Sequence, residues 1–314
     1  MTTPIIKLSS FDIVKRRNRS PKKTDPKPIT KLSSFNTVKG RRSGNAELFT
    51  LGQDLHIVVD RSSSMQTMED APPNQIRALL IDQRKIADDT GKTIRVTLTV
   101  FDDVAETYID NVDISNYDIP EIEWFHDVLK PRGCTRFYDT MIECLANQRS
   151  RVNDWNVSPK LRKLNPIINR TIYVLTDGFD NRSGLSITNL RSAMKTNKLI
   201  GSFNAVFLAA NLGNAQEIGA SMGFNPNTSL TIDAGRQRSS NGMQAANSLL
   251  RAISSGSSAL PGFTQLQRQS SQPVDHITAP TNLRIRRSSN TIPVGIPTNS
   301  PSSPPSMFPC LSRC

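Results

Sequence analysis

The sequence predicts an α/β protein: a mostly parallel sheet covered on both faces by helices, with one antiparallel strand at its edge. Short apolar runs alternate with helix-length amphipathic stretches between about residues 47 and 255, and that alternation calls for parallel strands joined by right-handed helical crossovers. Leu55–Val59, Thr171–Thr176 and Phe203–Ala209 are apolar nearly throughout, as strands buried on both faces must be. The first two of these runs each stop at an aspartate, Asp60 and Asp177. In open α/β sheets ligands bind outside the carboxyl ends of the strands, so those two ends are where chemistry is sought.

Taken in order, the elements follow from spacing and punctuation. After the Leu55 strand, Pro72-Pro73 opens a helix to about Asp89 with Ile76, Leu79, Leu80, Gln83, Ile86 and Ala87 on one face, stopped by Gly91. Ile94–Phe101 alternates apolar residues with Arg95, Thr97 and Thr99 and is expected as a strand nearer the sheet edge. Asp102-Asp103 then turns the chain into a short antiparallel edge strand, Val104–Ile109. Residues 110–134 are expected to be less regular and to lead into the Thr135 loop, 137–147 helical, and 148–169 a polar surface excursion. Beyond the Thr171 strand come helices near 187–196 and 215–222, the Phe203 strand, a last short strand Ser229–Ile232, and a closing helix 242–253.

Composition divides the chain into three. Of 314 residues 36% are hydrophobic and 20 are proline, too little apolar content for a chain folded throughout. The net charge of +12 sits at the ends. Residues 1–44 hold 12 Lys and Arg against 2 Asp and Glu, residues 45–235 hold 19 against 24, and residues 236–314 hold 8 against 1. The expected organisation is a disordered basic arm (1–44), a folded domain (45–255) and a disordered Ser/Pro-rich basic tail (256–314). No apolar run reaches the length of a membrane span, and the N-terminus lacks the apolar core of a signal peptide. Cysteines 134, 144, 310 and 314 form neither a metal-ligand pair nor a disulfide framework. The expectation is an intracellular protein, cytoplasmic or nuclear, with reduced thiols.

The arm contains a repeat. Pro4-Ile5-Ile6-Lys7-Leu8-Ser9-Ser10-Phe11 returns 24 residues later as Pro28-Ile29-Thr30-Lys31-Leu32-Ser33-Ser34-Phe35. Two copies of so short a unit cannot build a core. They read either as a duplicated docking peptide, with Leu8, Phe11, Leu32 and Phe35 as anchors, or as a plain duplication in a disordered arm. Lys15–Lys23 has the composition of a nuclear localisation signal or a nucleic-acid-binding arm. In the tail, Ser271 follows Arg268 by three and precedes Pro273 by two, and Thr291 has a related setting. Both resemble sites for basic-directed kinases and then for 14-3-3 proteins.

The first apolar run continues as Asp60-Arg61-Ser62-Ser63-Ser64. A serine-rich turn after a strand is ordinarily a turn or a helix cap. Two further pieces change its meaning: Thr135, in a loop that opens a helix, and Asp177-Gly178 at the end of the second buried strand. Asp-x-Ser-x-Ser, a loop threonine and a strand-end Asp-Gly, in that order and context, resemble the metal-ion-dependent adhesion site of von Willebrand factor A (vWA) domains. The resemblance covers residues 47–255 and extends to Phe207–Asn211, Gly223-Phe224 and Thr231–Ala234. It implies a doubly wound sheet of the small intracellular type and a site at Asp60, Ser62, Ser64, Thr135 and Asp177. In the family the hydroxyls bind the cation directly and the aspartates directly or through water. Ser63 stands where glycine is usual and Phe179 where an acidic residue is usual. Such hard oxygen donors suit Mg²⁺ or Mn²⁺ rather than Zn²⁺. Few anionic ligands leave the ion an exchangeable position for an Asp or Glu of a protein partner.

Catalysis fits less well. A phosphatase on such a sheet places a second aspartate two residues after the first, and here that position is Ser62; no Gly-rich phosphate loop with an adjacent lysine exists either. Only three histidines are present. His56 lies inside a strand and reads as a satisfied core residue, and Cys134 reads as packing. The expected function is therefore a non-catalytic, metal-dependent protein-interaction module. The alternative is a protein whose basic ends bind nucleic acid or an acidic surface.

Overall fold

A computed structural model describes residues 50–151, 155, 167–233, 235–256 and 262–272. Leu8, Phe11, Leu32, Phe35 and Thr291 lie outside them. Six strands form one sheet: β1 (Thr50–Asp60), β2 (Thr93–Phe101), β3 (Ala105–Asp113), β4 (Ile167–Thr176), β5 (Phe203–Ala210) and β6 (Ser229–Ile232), in the order β3-β2-β1-β4-β5-β6. All neighbours are parallel except β3, which runs antiparallel to β2 at the edge. The α/β architecture expected from the apolar pattern is thus the one observed.

The even and odd residues of β1 feed two separate cores. Leu55, Ile57 and Val59 pack with Ile76, Leu79 and Leu80 of α1 (Ala71–Thr90), Phe125 of α2 (Ile122–Val128), and Met243, Ala246 and Leu250 of α6 (Arg236–Ser255). Val58 joins Ile172, Val174 and Phe207 against Phe137, Met141 and Leu145 of α3 (Phe137–Arg151). Leu190 and Met194 of α4 (Ile187–Leu199) and Met222 of α5 (Ala215–Met222) complete that layer. Each fully buried Leu, Ile or Val contributes roughly 1.5–3 kcal/mol over its exposed state, which is why a central strand without alternation is stable only here.

Several expectations need correction or refinement. Within residues 110–134, β3 continues to Asp113 and α2 follows, with less regular chain between and after them. Residues 148–169 are not wholly a surface excursion: Gln148 and Arg151 are buried on α3, Trp155 is buried against Leu51, and β4 begins at Ile167. The segment after 255 carries a further helix, α7 (Gln265–Ser271), capped by Thr264 and anchored by Arg268 donating to Ser229 O at 2.7 Å. Ser271 ends that helix fully buried, its hydroxyl donating to Thr231 O at 2.8 Å, so this fold does not present it to a kinase. Last, Cys134 is disulfide-bonded, whereas Cys144 is free and buried, its thiol pushed up to about 12 by burial.

Candidate metal centre

The chain leaves β1 toward β2 on one side and returns to β4 on the other. The helices after these strands cover opposite faces, so a crevice opens between the C-terminal ends of β1 and β4. Asp60 is the last residue of β1 and Asp177 follows the last residue of β4. Sheet topology alone therefore sets the two aspartates side by side.

The other predicted residues join them. Ser64 Oγ donates to Asp177 Oδ1 at 2.8 Å, and the Ser62 and Ser64 hydroxyls lie 3.1 Å apart. The Ser62 amide donates to Asp60 Oδ1 at 2.7 Å. Thr135 is held by two bonds to Asn181, its amide to Oδ1 at 2.9 Å and its carbonyl from the Asn181 amide at 3.0 Å. Its hydroxyl abuts Gly178, where an added Cβ would come within 2.9 Å of Oγ1. Thr176, absent from the sequence reading, donates to Asp60 Oδ2 at 2.6 Å. Asp60, Ser62, Thr135 and Asp177 are buried, and Ser64 is exposed at the rim.

Neighbouring loops are pinned to this arrangement. The Ser63 hydroxyl donates to Gly133 O at 3.1 Å, so the serine found where glycine was expected ties the first loop to the Thr135 loop. Gly133 has φ +68°, a conformation that favours glycine. Asp180 Oδ1 accepts the Phe137 amide at 2.8 Å, satisfying an orphan donor at the start of α3.

Arg61 was not identified from sequence, though it lies inside the motif. Its guanidinium is almost fully buried and pairs with neither Asp60 nor Asp177. It donates to Asp102 Oδ2 at 2.8 Å, to Tyr108 OH at 2.9 Å and to Val128 O at 3.1 Å, and pairs with Glu106. Arg132 also reaches Asp102, at 2.7 Å. The signal available was an arginine at one strand end opposite Asp102-Asp103 at the next.

Among the described residues no Lys or Arg is paired with Asp60 or Asp177. Burial raises the Asp60 carboxyl to about 7 against the bonds from Thr176 and Ser62, and the neighbouring Asp177 adds to the rise. Burial likewise raises Asp177 to about 6 despite the Ser64 bond. Two buried carboxylates facing hydroxyls, with no protein cation between them, are what a hard divalent cation would neutralise. No group of three or more His, Cys, Asp or Glu is placed to hold a metal among the described residues, so any cation here depends on serine and threonine oxygens. The residues present fit such an ion.

His56, as expected, is a core residue: it is 1% exposed, bonded to Thr99 Oγ1 at 2.9 Å, and held near 3 by burial and then by Arg151. His126 lies on α2, 3.7 Å from Asp70.

No family model matches the chain, and no curated protein does. Similar solved structures include proximal thread matrix protein 1 from the mussel byssus (17% identity, TM-score 0.43, 64% of this chain and 47% of that one). A form of the mussel protein with a zinc-occupied MIDAS motif matches at 18% identity and TM-score 0.42, over 64% and 46%. The vWF domain of the type V pili tip protein Mfa5 from Porphyromonas gingivalis matches at 11% identity and TM-score 0.46, over 65% and 95%. The chain spans about half the length of the mussel protein. Superpositions this loose assign no family, and the fold stands on the sheet topology itself. No helix among the described residues is long and apolar enough to cross a membrane.

Proposed function

We propose that this chain is a vWA-type interaction module that holds Mg²⁺ or Mn²⁺ at Asp60, Ser62, Ser64, Thr135 and Asp177 and uses it to bind a carboxylate of a protein partner. One observation carries the reading: two buried carboxylates share a rim with three hydroxyls, and no Lys or Arg of the described residues pairs with either. The cation would supply positive charge and an exchangeable ligand position. The chain supplies the rest. Thr176 and the Ser62 amide orient the two oxygens of Asp60, Ser64 orients Asp177, and Asn181 fixes the backbone of Thr135. Arg61, bound to Asp102 and Glu106, keeps its own charge out of the site. The role is binding without catalysis, since Ser62 stands where a second carboxylate would be needed for phosphoryl chemistry.

Calorimetric titration of the full chain with Mg²⁺ and Mn²⁺ tests it. D60A and D177A are expected to weaken cation uptake at least about a hundredfold, some 2.7 kcal/mol. Partner capture is expected to disappear in EDTA. Unchanged heats in both variants, or capture indifferent to EDTA, would refute the proposal.

A further inference from the structure

Beside the site lies an apolar pocket of about 120 Å³, walled by Phe137, Ile187, Phe207, Leu212, Ile218 and Met222. Tyr138, Asp180 and Ser221 also line it, and part of the remaining wall adjoins the site. Thr176, whose hydroxyl bonds Asp60, and Gly178, which abuts the Thr135 hydroxyl, both line it. Thr176 and Gly178 thus stand between the candidate ligands and the pocket. Phe179, also in the lining, is 67% exposed. A ligand suited to both halves carries a carboxylate next to a large apolar side chain, because adjacent Cα atoms are about 3.8 Å apart. The pocket is too apolar to accept the charge itself.

The chain contains such a ligand. The first copy of the arm repeat reads Lys7-Leu8-Ser9-Ser10-Phe11-Asp12, and the second replaces the acid, Phe35-Asn36. We propose that Phe11-Asp12 docks on its own domain, Asp12 completing the cation's shell and Phe11 entering the pocket, so that the arm competes with external partners. The inference rests on the metal reading above. Length permits it. Thirty-eight positions separate Asp12 from Thr50, a span of roughly 35 Å as a coil and about 125 Å extended. The distance to cover is the length of β1, about 35 Å for its 11 residues. Glu47-Leu48 has related chemistry, but only three positions from Thr50 it cannot reach the opposite end of the strand. Charge is compatible with the arm: residues 1–44 hold 12 bases against 2 acids, and residues 45–255 hold 24 acids against 22 bases.

The probe is a fluorescent peptide of residues 4–16, titrated into the full chain with Mn²⁺ and followed by anisotropy, with cation uptake measured in parallel. Substituting F11A or D12N in the full chain is expected to free the site and tighten peptide binding about tenfold or more, an effect of the tether's effective concentration. Peptides carrying D12N or F11A are expected to bind at least tenfold more weakly, and EDTA to abolish binding. Filling the pocket with I218W, or trimming the exposed F179A, is expected to weaken the peptide on the D12N chain. Cation uptake without any peptide binding, or equal affinity in the parent and D12N chains, overturns the inference and leaves the metal reading standing. Release by D275A instead of D12N overturns it in favour of the tail's Val274-Asp275. Release that grows with dilution shows docking between copies and overturns the tethered form. Absence of cation uptake removes both readings.

Discussion

Asp54 and Asp60 lie on the same face of β1, each about 1% exposed, yet their surroundings differ in kind. Arg151 Nη2 lies 3.5 Å from Asp54 Oδ1, and Arg170 adds favourable charge from β4. His56, between the two aspartates in sequence, bridges Arg151 at 3.2 Å and Thr99 at 2.9 Å. At Asp60 the contacts are an amide and a hydroxyl, and the charge acting on it is the like charge of Asp177. Burial raises both carboxyls. One end of the strand brings its own counter-charge, and the other has none among the described residues. A buried carboxylate with a built-in partner is structure, whereas one without is where the proposed cation would sit.

The contrast can be broken most forcefully at the paired end. R151L leaves Asp54 buried without its partner and is expected to cost about 3–5 kcal/mol, read as a fall in the urea midpoint. Adding D54L is expected to recover most of that loss, because removing both charges also removes the desolvation cost. A double variant no more stable than R151L would mean that Arg151 acts through packing alone.

A smaller effect sharpens the same end. The His56 imidazole is held down to about 3 from 6.5, so the unfolded chain binds its proton first as pH falls. Its contribution to stability is complete above 6.5 and is lost as pH falls from there toward 3, by at most about 1.4 kcal/mol per pH unit. H56Q lacks this loss, so the Tm gap between parent and H56Q is expected to narrow from pH 7 to pH 5. A constant gap would place the proton elsewhere.

The smallest change is expected at the open end. In metal-free protein at pH 8, D60N removes a buried charge with no partner of opposite sign and is expected to alter stability by less than about 1 kcal/mol, while cation uptake is lost. A loss as large as that of R151L would show Asp60 to be structural, and the comparison would fail.

Much of this was legible beforehand, for reasons that differ by element. β1, β4 and β5 announce themselves because strands buried on both faces tolerate no polar alternation. The five proposed site residues could be picked out because their order fits strand ends and loop starts. Thr97 and Thr99 gave β2 a more polar face and a place nearer the sheet edge, and β2 is indeed next to the edge strand. Both are nevertheless buried, Thr97 accepting the Asn111 amide and Thr99 bonding His56 and Thr107. Helix α7 was missed because Gln265–Ser271 has little apolar character of its own. Its stability comes from long-range bonds such as Arg268 to Ser229 O, which no local window contains.

By itself the sequence determined which strands must be buried on both faces, where β1 and β4 end, and which oxygens stand at those ends, because hydrophobic period and turn chemistry are local properties. Only the tertiary structure decided that Arg61 serves Asp102 rather than Asp60, that Ser271 is inside, and that an apolar pocket shares a wall with the site. Each of those depends on which strands become neighbours, and strand order is chosen by the packing of both helical layers at once.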